Sequence, residues 1–144
     1  ERAMATITAE LVAWRGAAPL LVVEITETAA FADMAQGIQR LETLRSRGCQ
    51  VALDDFGVGF SSLYSLRHLP VDYLKIDASF IRGLVTDPQD RQIVRAIVDL
   101  ARGLGRATIA EGVEDRETLE VVRSLGVDYA QGYFLGRPVP STTL

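Results

Sequence analysis

Five short apolar runs, each closing on polar or acidic residues and separated from the next by a turn or a helix-period stretch, restrict the fold of this chain more than anything else in it. The runs are Leu20 to Ile25, Val51 to Leu53, Tyr73 to Ile76, Thr108 to Ala110 and Asp128 to Tyr133. They do not alternate, so each is expected to be a strand buried on both faces. Between them Ile38, Leu41 and Leu44 recur at helical spacing, as do Ile93, Val94, Ile97, Val98, Ala101 and Leu104. The first of these helices should stop at Gly48 and the second at Gly105. A third should open on Asp115 as N-cap, bury Leu119, Val122 and Leu125, and end at Gly126. Strand followed by helix implies parallel strands joined by right-handed crossovers, in a doubly wound sheet or a barrel. Ahead of the first strand, Thr6 to Arg15 reads as a helix with Trp14 in the core.

Composition narrows the class. The chain has 144 residues, 48% hydrophobic and 24% charged, which suits one soluble domain or part of one. A formal net charge of −4 argues against a DNA or RNA surface, which needs clustered cations. Cys49 is the only cysteine, so an internal disulfide is impossible and a cytoplasmic setting is expected. No apolar run approaches the roughly 20 residues of a membrane span. No Gly-rich dinucleotide loop or P-loop follows any of the strands.

Charge interrupts the apolar runs at one kind of place. Glu24 follows Leu20 to Val23, Asp54 and Asp55 follow Val51 to Leu53, and Glu111 follows Ile109 and Ala110. These are strand C-terminal ends, the edge at which parallel α/β folds bind ligands. Lys75 and Gln131 lie within the third and fifth runs and are expected to point to the same edge. Converging carboxylates repel one another, and a divalent cation is a common remedy. An all-oxygen donor set favours magnesium, manganese or calcium over zinc. Ordinary structural alternatives stand beside each reading. Glu24 or Glu27 could cap a helix, Asp54-Asp55 could start a turn, and Lys75 could extend to solvent. Asp77 could cap the next helix, Glu111 and Glu114 could flank a helix start, and His68 could be purely structural.

The segments Glu24-Ile-Thr-Glu27, Asp54-Asp55-Phe-Gly57-Val-Gly59-Phe-Ser61-Ser62, Leu74-Lys75-Ile-Asp77, Ile109-Ala-Glu111-Gly-Val-Glu114 and Gln131-Gly-Tyr133 occur in that order. Together they resemble the EAL domain, over about residues 20 to 140, including Gly136-Arg137-Pro138. The resemblance implies a modified (β/α)8 barrel and hydrolysis of cyclic di-GMP to the linear dinucleotide pGpG in bacterial signalling. Two magnesium or manganese ions would take part, held by Glu24, Asp54, Asp55, Glu111 and Gln131. Lys75 and Glu111 would be catalytic, with Lys75 on the attacking water or the transition-state charge and Glu111 a metal ligand or general base. Asp77, Glu114, Tyr133 and Arg137 would face the substrate, while Glu27, Gly57, Gly59 and Ser61 would anchor a loop beside the second ion. In that loop Val58 and Phe60 stand where the family usually has Thr and Tyr. The Glu-Ala-Leu signature and the Asn-bearing second strand do not occur in the sequence. Residues 1–144 are therefore expected to be the C-terminal portion of one EAL domain, a partial barrel without its first strands and inactive alone. A homodimer and upstream sensory or diguanylate cyclase domains are the expected partners. The alternatives are a receptor that binds cyclic di-GMP without cutting it, an interaction module that uses its dimer surface alone and, with the resemblance set aside, an enolase-like enzyme in which Lys75 abstracts a proton beside magnesium-bound carboxylates.

Overall fold

The structure, a computed structural model, describes residues 21–32, 34–59 and 63–139. The helix expected at Thr6 to Arg15, with Trp14, lies outside the described residues, as does Ser61. The fold is α/β with five parallel strands. In chain order the elements are β1 (Val22–Thr26), α1 (Glu27–Ala32), α2 (Met34–Ser46), β2 (Gln50–Phe56), α3 (Leu63–His68), β3 (Tyr73–Ile76), α4 (Ala78–Arg82), α5 (Pro88–Gly103), β4 (Ala107–Ala110), α6 (Arg116–Ser124) and β5 (Tyr129–Ala130). The chain divides into two compact units with the boundary between Leu74 and Lys75, inside β3. Strands neighbour one another in sequence order, β1-β2-β3 in the first unit and β3-β4-β5 in the second. Among the described residues no helix is long and apolar enough to cross a membrane.

In the first unit β1 pairs with β2 in parallel, Val23 opposite Val51 and Ile25 opposite Leu53. Val51, Ala52 and Leu53 are fully buried, as the unbroken apolar run implies. Leu41 and Leu44 bury the apolar stripe of α2, and Gly48 at φ 94° ends it in a conformation that favours glycine. In the second unit α5 opens on the N-cap Asp87, with Pro88 as its first residue, and buries Val94, Ile97, Val98 and Ala101. The N-cap expected of α6 is present, with the Asp115 carboxylate accepting from the Thr118 N–H at 2.7 Å.

Several expectations need correction. β1 is not buried on both faces: its residues alternate between exposed and half-buried, and Val22 is 44% exposed. Among the described residues it has β2 as its only paired neighbour, so it behaves as an edge strand. β5 is two residues long, not a run to Tyr133, because the chain turns at Gly132. Gln131 therefore follows the strand, although its N–H still bonds the Ala110 carbonyl. Ile93 is exposed, since it falls on the outer side of the α5 stripe.

An aspartate fixes the N-terminal end of a strand pair in each unit. Asp72, just before β3, accepts the Val51 N–H at 2.8 Å on one oxygen and the Arg45 guanidinium at 2.8 Å on the other. Asp128, just before β5, accepts both the N–H and the hydroxyl of the fully buried Thr108, at 2.8 and 2.9 Å. The same hydroxyl receives the Asp128 N–H at 3.2 Å. Strand-end backbone donors that would be left over are thereby satisfied.

Candidate active site

At the C-terminal ends of β1 and β2 the parallel register decides which acids share a face. Glu24 lies opposite Ala52, and Thr26 opposite Asp54. Side chains two apart on a strand point the same way, so Glu24 and Asp54 share one face as diagonal neighbours. Strand spacing and rise put their Cα atoms ~8 Å apart. That separation lets two carboxylates reach toward one cation, and their oxygen-only chemistry suits a hard divalent ion. Glu24 is exposed and Asp54 half-buried.

The backbone then departs from regular strand geometry. Asp55 has φ 56°, the only positive value at a non-glycine residue among those described. Such a conformation costs on the order of 1 kcal/mol, and Asp tolerates it better than most residues. The Asp55 N–H bonds the Asp54 carboxylate at 3.1 Å, and Gly57 at φ 102° completes the bend. Asp55 is exposed at this turn. Gly59 is exposed beyond it, and Glu27 begins α1.

In the second unit Lys75 is 2% exposed, so it does not extend to solvent. Its Nζ lies 2.6 Å from Glu111 Oε1. A buried ammonium needs such a partner, because desolvation without one costs several kcal/mol. Gln131 Nε2 donates to the same Glu111 oxygen at 3.4 Å. Lys75, Glu111 and Gln131 thus form one polar cluster at the ends of β3, β4 and β5, as their places in the sequence suggested.

Two glycines make that clustering possible. A Cβ on Gly132 would lie 2.2 Å from the Val113 carbonyl oxygen, and one on Gly112 2.8 Å from the Ala78 Cβ. Only residues without a side chain allow these approaches. The segment after β4 is then laced to the segment after β5 by Val113 N–H to the Gln131 carbonyl at 3.1 Å and Phe134 N–H to the Val113 carbonyl at 3.2 Å. An open cleft of about 760 Å³ results, and Glu111, Glu114, Gln131, Tyr133 and Arg137 line it. Tyr133 is 64% exposed, with the Arg137 guanidinium 4.7 Å above its ring. This is a cation–π pair.

Asp77 caps α4. Its carboxylate accepts the Ser79 N–H at 2.9 Å, and hydrogen bonding to the Ser79 side chain first, then to the Ser79 and Ala78 N–H groups, aided by the Arg82 charge, holds its pKa below the ordinary value against the opposing effect of burial. His68 ends α3 with Nδ1 2.8 Å from the Tyr64 carbonyl, an exposed local contact. Arg82 lines the cleft as well, at a position the sequence does not single out. It sits on a five-residue helix too short to show a period, and its signal was a cation a few residues beyond the Lys75-Ile-Asp77 motif.

A family model described as the EAL domain matches residues 1–138. The chain is 47% identical over 117 residues to the cyclic di-GMP phosphodiesterase PdeB of Shewanella oneidensis, an alignment covering 81% of this chain and 14% of that protein. Among solved structures it is similar to the PaMucR phosphodiesterase in complex with c-di-GMP, with TM-score 0.87 and 39% identity over 95% of this chain and 56% of that one. It is also similar to Klebsiella pneumoniae BlrP1 in a manganese/cy-diGMP complex, with TM-score 0.84 and 31% identity over 95% of this chain and 35% of that one. The chain therefore spans about one seventh of that curated relative and about half of the first of these structures.

Proposed function

The chain belongs to the EAL domain family, and from that premise we propose that it takes part in the metal-dependent hydrolysis of cyclic di-GMP to linear pGpG. The observation that carries this reading is the 2.6 Å pairing of buried Lys75 with half-buried Glu111, set at the ends of adjacent parallel strands, with Glu111 lining an open cleft. Relatives named as cyclic di-GMP phosphodiesterases support it, as do the neighbours' complexes with c-di-GMP. Because the chain spans a small share of that relative, we propose that it works as the C-terminal part of one EAL domain in a longer polypeptide.

Glu24, Asp54, Asp55, Glu111 and Gln131 would hold two magnesium or manganese ions, which supply Lewis-acid charge and a water of lowered pKa. The protein's own groups do the rest. Glu111 accepts the proton of the attacking water, or orients that water, through a carboxylate whose position Lys75 and Gln131 fix. Lys75 places a positive charge where charge builds on the phosphoryl oxygens, in a setting with little water to screen it. Tyr133 offers an aromatic face to a guanine and Arg137 a guanidinium to a base or phosphate. Glu114 and Asp77 stand beside the substrate, while Glu27, Gly57 and Gly59 shape the loop after β2.

The test is turnover of cyclic di-GMP with magnesium or manganese by a polypeptide carrying the whole domain, compared with its Glu111→Gln variant. Formation of pGpG that falls at least ~100-fold in the variant supports the reading. Binding without turnover makes the protein a receptor, and neither binding nor turnover overturns both readings.

A further inference from the structure

The cleft of the second unit contains a cation to which the reaction just described gives no role. Ala78 and Arg82 both line it. They stand four residues apart on α4, so they share one helical face, the small residue leaving room below the long one. Gly112 keeps that face close to the segment carrying Glu111 and Glu114, since any side chain there would collide with Ala78. Arg82 is exposed and makes no hydrogen bond or ion pair with a described residue, while its charge acts on the nearby Asp77 carboxylate. Lys75, by contrast, is bound to Glu111, and Arg137 lies over Tyr133.

A cyclic dinucleotide carries two phosphodiesters on opposite sides of its ring, and hydrolysis attacks one. The Lys75–Glu111 cluster serves the reacting group and the Arg137 guanidinium is taken up over the Tyr133 ring, which leaves the second anion needing a partner in a cleft that also holds the Glu114 carboxylate. We propose that Arg82 binds the phosphodiester that is not cleaved and so selects a cyclic dinucleotide over substrates with a single phosphate; this rests on the phosphodiesterase reading above. A guanidinium suits the task because it offers a planar pair of donors to phosphate oxygens. Contact with a group remote from the reacting atoms binds ground state and transition state alike, so its loss raises KM and leaves kcat in place.

The experiment compares wild type, Arg82→Ala and Arg82→Lys in the polypeptide carrying the whole domain, on cyclic di-GMP and on bis(p-nitrophenyl) phosphate, a single phosphodiester. Expected is a KM for cyclic di-GMP raised roughly 10-fold or more in Arg82→Ala with kcat within about twofold, partial recovery in Arg82→Lys, and unchanged kcat/KM on the single phosphodiester. An unchanged KM for cyclic di-GMP, or an equal loss on both substrates, overturns the proposal while leaving the enzyme reading intact. If wild type turns over neither substrate the enzyme reading falls first, and cyclic di-GMP binding by calorimetry then decides for Arg82. Weaker binding in Arg82→Ala supports its contact, and equal binding overturns it.

Discussion

Acidic residues at the two ends of the strands differ in what they bond to. At the N-terminal ends Asp72 and Asp128 are taken up by backbone N–H groups of the neighbouring strand, by Arg45 or by the Thr108 hydroxyl. At the C-terminal ends Glu24 and Asp54 share a sheet face, Asp55 is held at a strained φ, and Glu111 bonds a buried ammonium and an amide. The chemistry of the side chain is the same; the direction of the strand decides its use. At the N-terminal end the next strand presents N–H groups that an acid can satisfy. At the C-terminal end a parallel sheet presents carbonyls, which an acid cannot satisfy, so acids placed there need cations.

The comparison breaks most visibly at Lys75. Replacing it with Met should reduce cyclic di-GMP turnover by about 100-fold or more, the scale of losing one preorganised charge at the reacting group. It should also destabilise the fold by about 3 kcal/mol, because Glu111 is left without its ammonium partner. Lys75→Met combined with Glu111→Leu should recover part of that stability and no activity, read by urea denaturation beside turnover. Activity surviving in either variant would place these acids and their cation with the structural set. Asp128→Ala should do the converse. Thr108 is fully buried and would lose an acceptor for both its N–H and its hydroxyl, a cost of about 2 kcal/mol, with kcat near wild type. A large fall in kcat at full occupancy of the folded state would blur the distinction between the two ends.

A finer cut tests the strain at Asp55. Asp55→Gly removes the steric cost of φ 56° and should raise stability by up to about 1 kcal/mol while lowering metal affinity, measured by thermal denaturation and by manganese titration. Gain in stability without loss of affinity would make Asp55 a turn residue only.

Much of this was legible in the amino-acid order, for physical reasons. The strands β2 and β3 carry short unbroken apolar runs because both of their faces are buried, and the caps at Gly48, Asp115 and Gly126 follow from backbone chemistry that few residues satisfy. Glu111 marks the C-terminal end of its apolar run, and Lys75 and Gln131 interrupt theirs as lone polar residues near the same edge, which is the legible trace of their cluster. The short helices α1, α3 and α4 span six residues or fewer and show no period, so nothing in the sequence singles out Arg82. β1 looked buried because its composition matches a central strand; composition does not record whether a strand has one neighbour or two. The strand-start clamps left a trace, the repeated Val-Asp-Tyr at residues 71–73 and 127–129, whose meaning depends on which strand lies alongside.

Asp77 is the intermediate case and gives the smallest effect. It lies just past the C-terminal end of β3, at the edge where acids meet cations, yet its carboxylate is bonded to a backbone N–H like the acids of the other edge. Hydrogen bonding to Ser79, by its side chain first and its backbone N–H next, holds its pKa below the ordinary carboxylate value of about 4. A folded-state value below the unfolded one means the contribution to stability is fully present above about pH 4 and is lost as pH falls through the lower folded value. Asp77→Ala should therefore cost about 1 kcal/mol near neutrality, the usual worth of such a cap, and progressively less in acid, while Asp77→Ser should lose little at either pH. Denaturation of the three proteins at pH 7 and pH 3 reads this directly. If Asp77→Ser retains stability but raises KM for cyclic di-GMP, Asp77 belongs to both edges, its carboxylate serving the substrate as well as the helix. If KM stays level, the backbone bond accounts for its presence, and position on the strand alone does not make an acid functional.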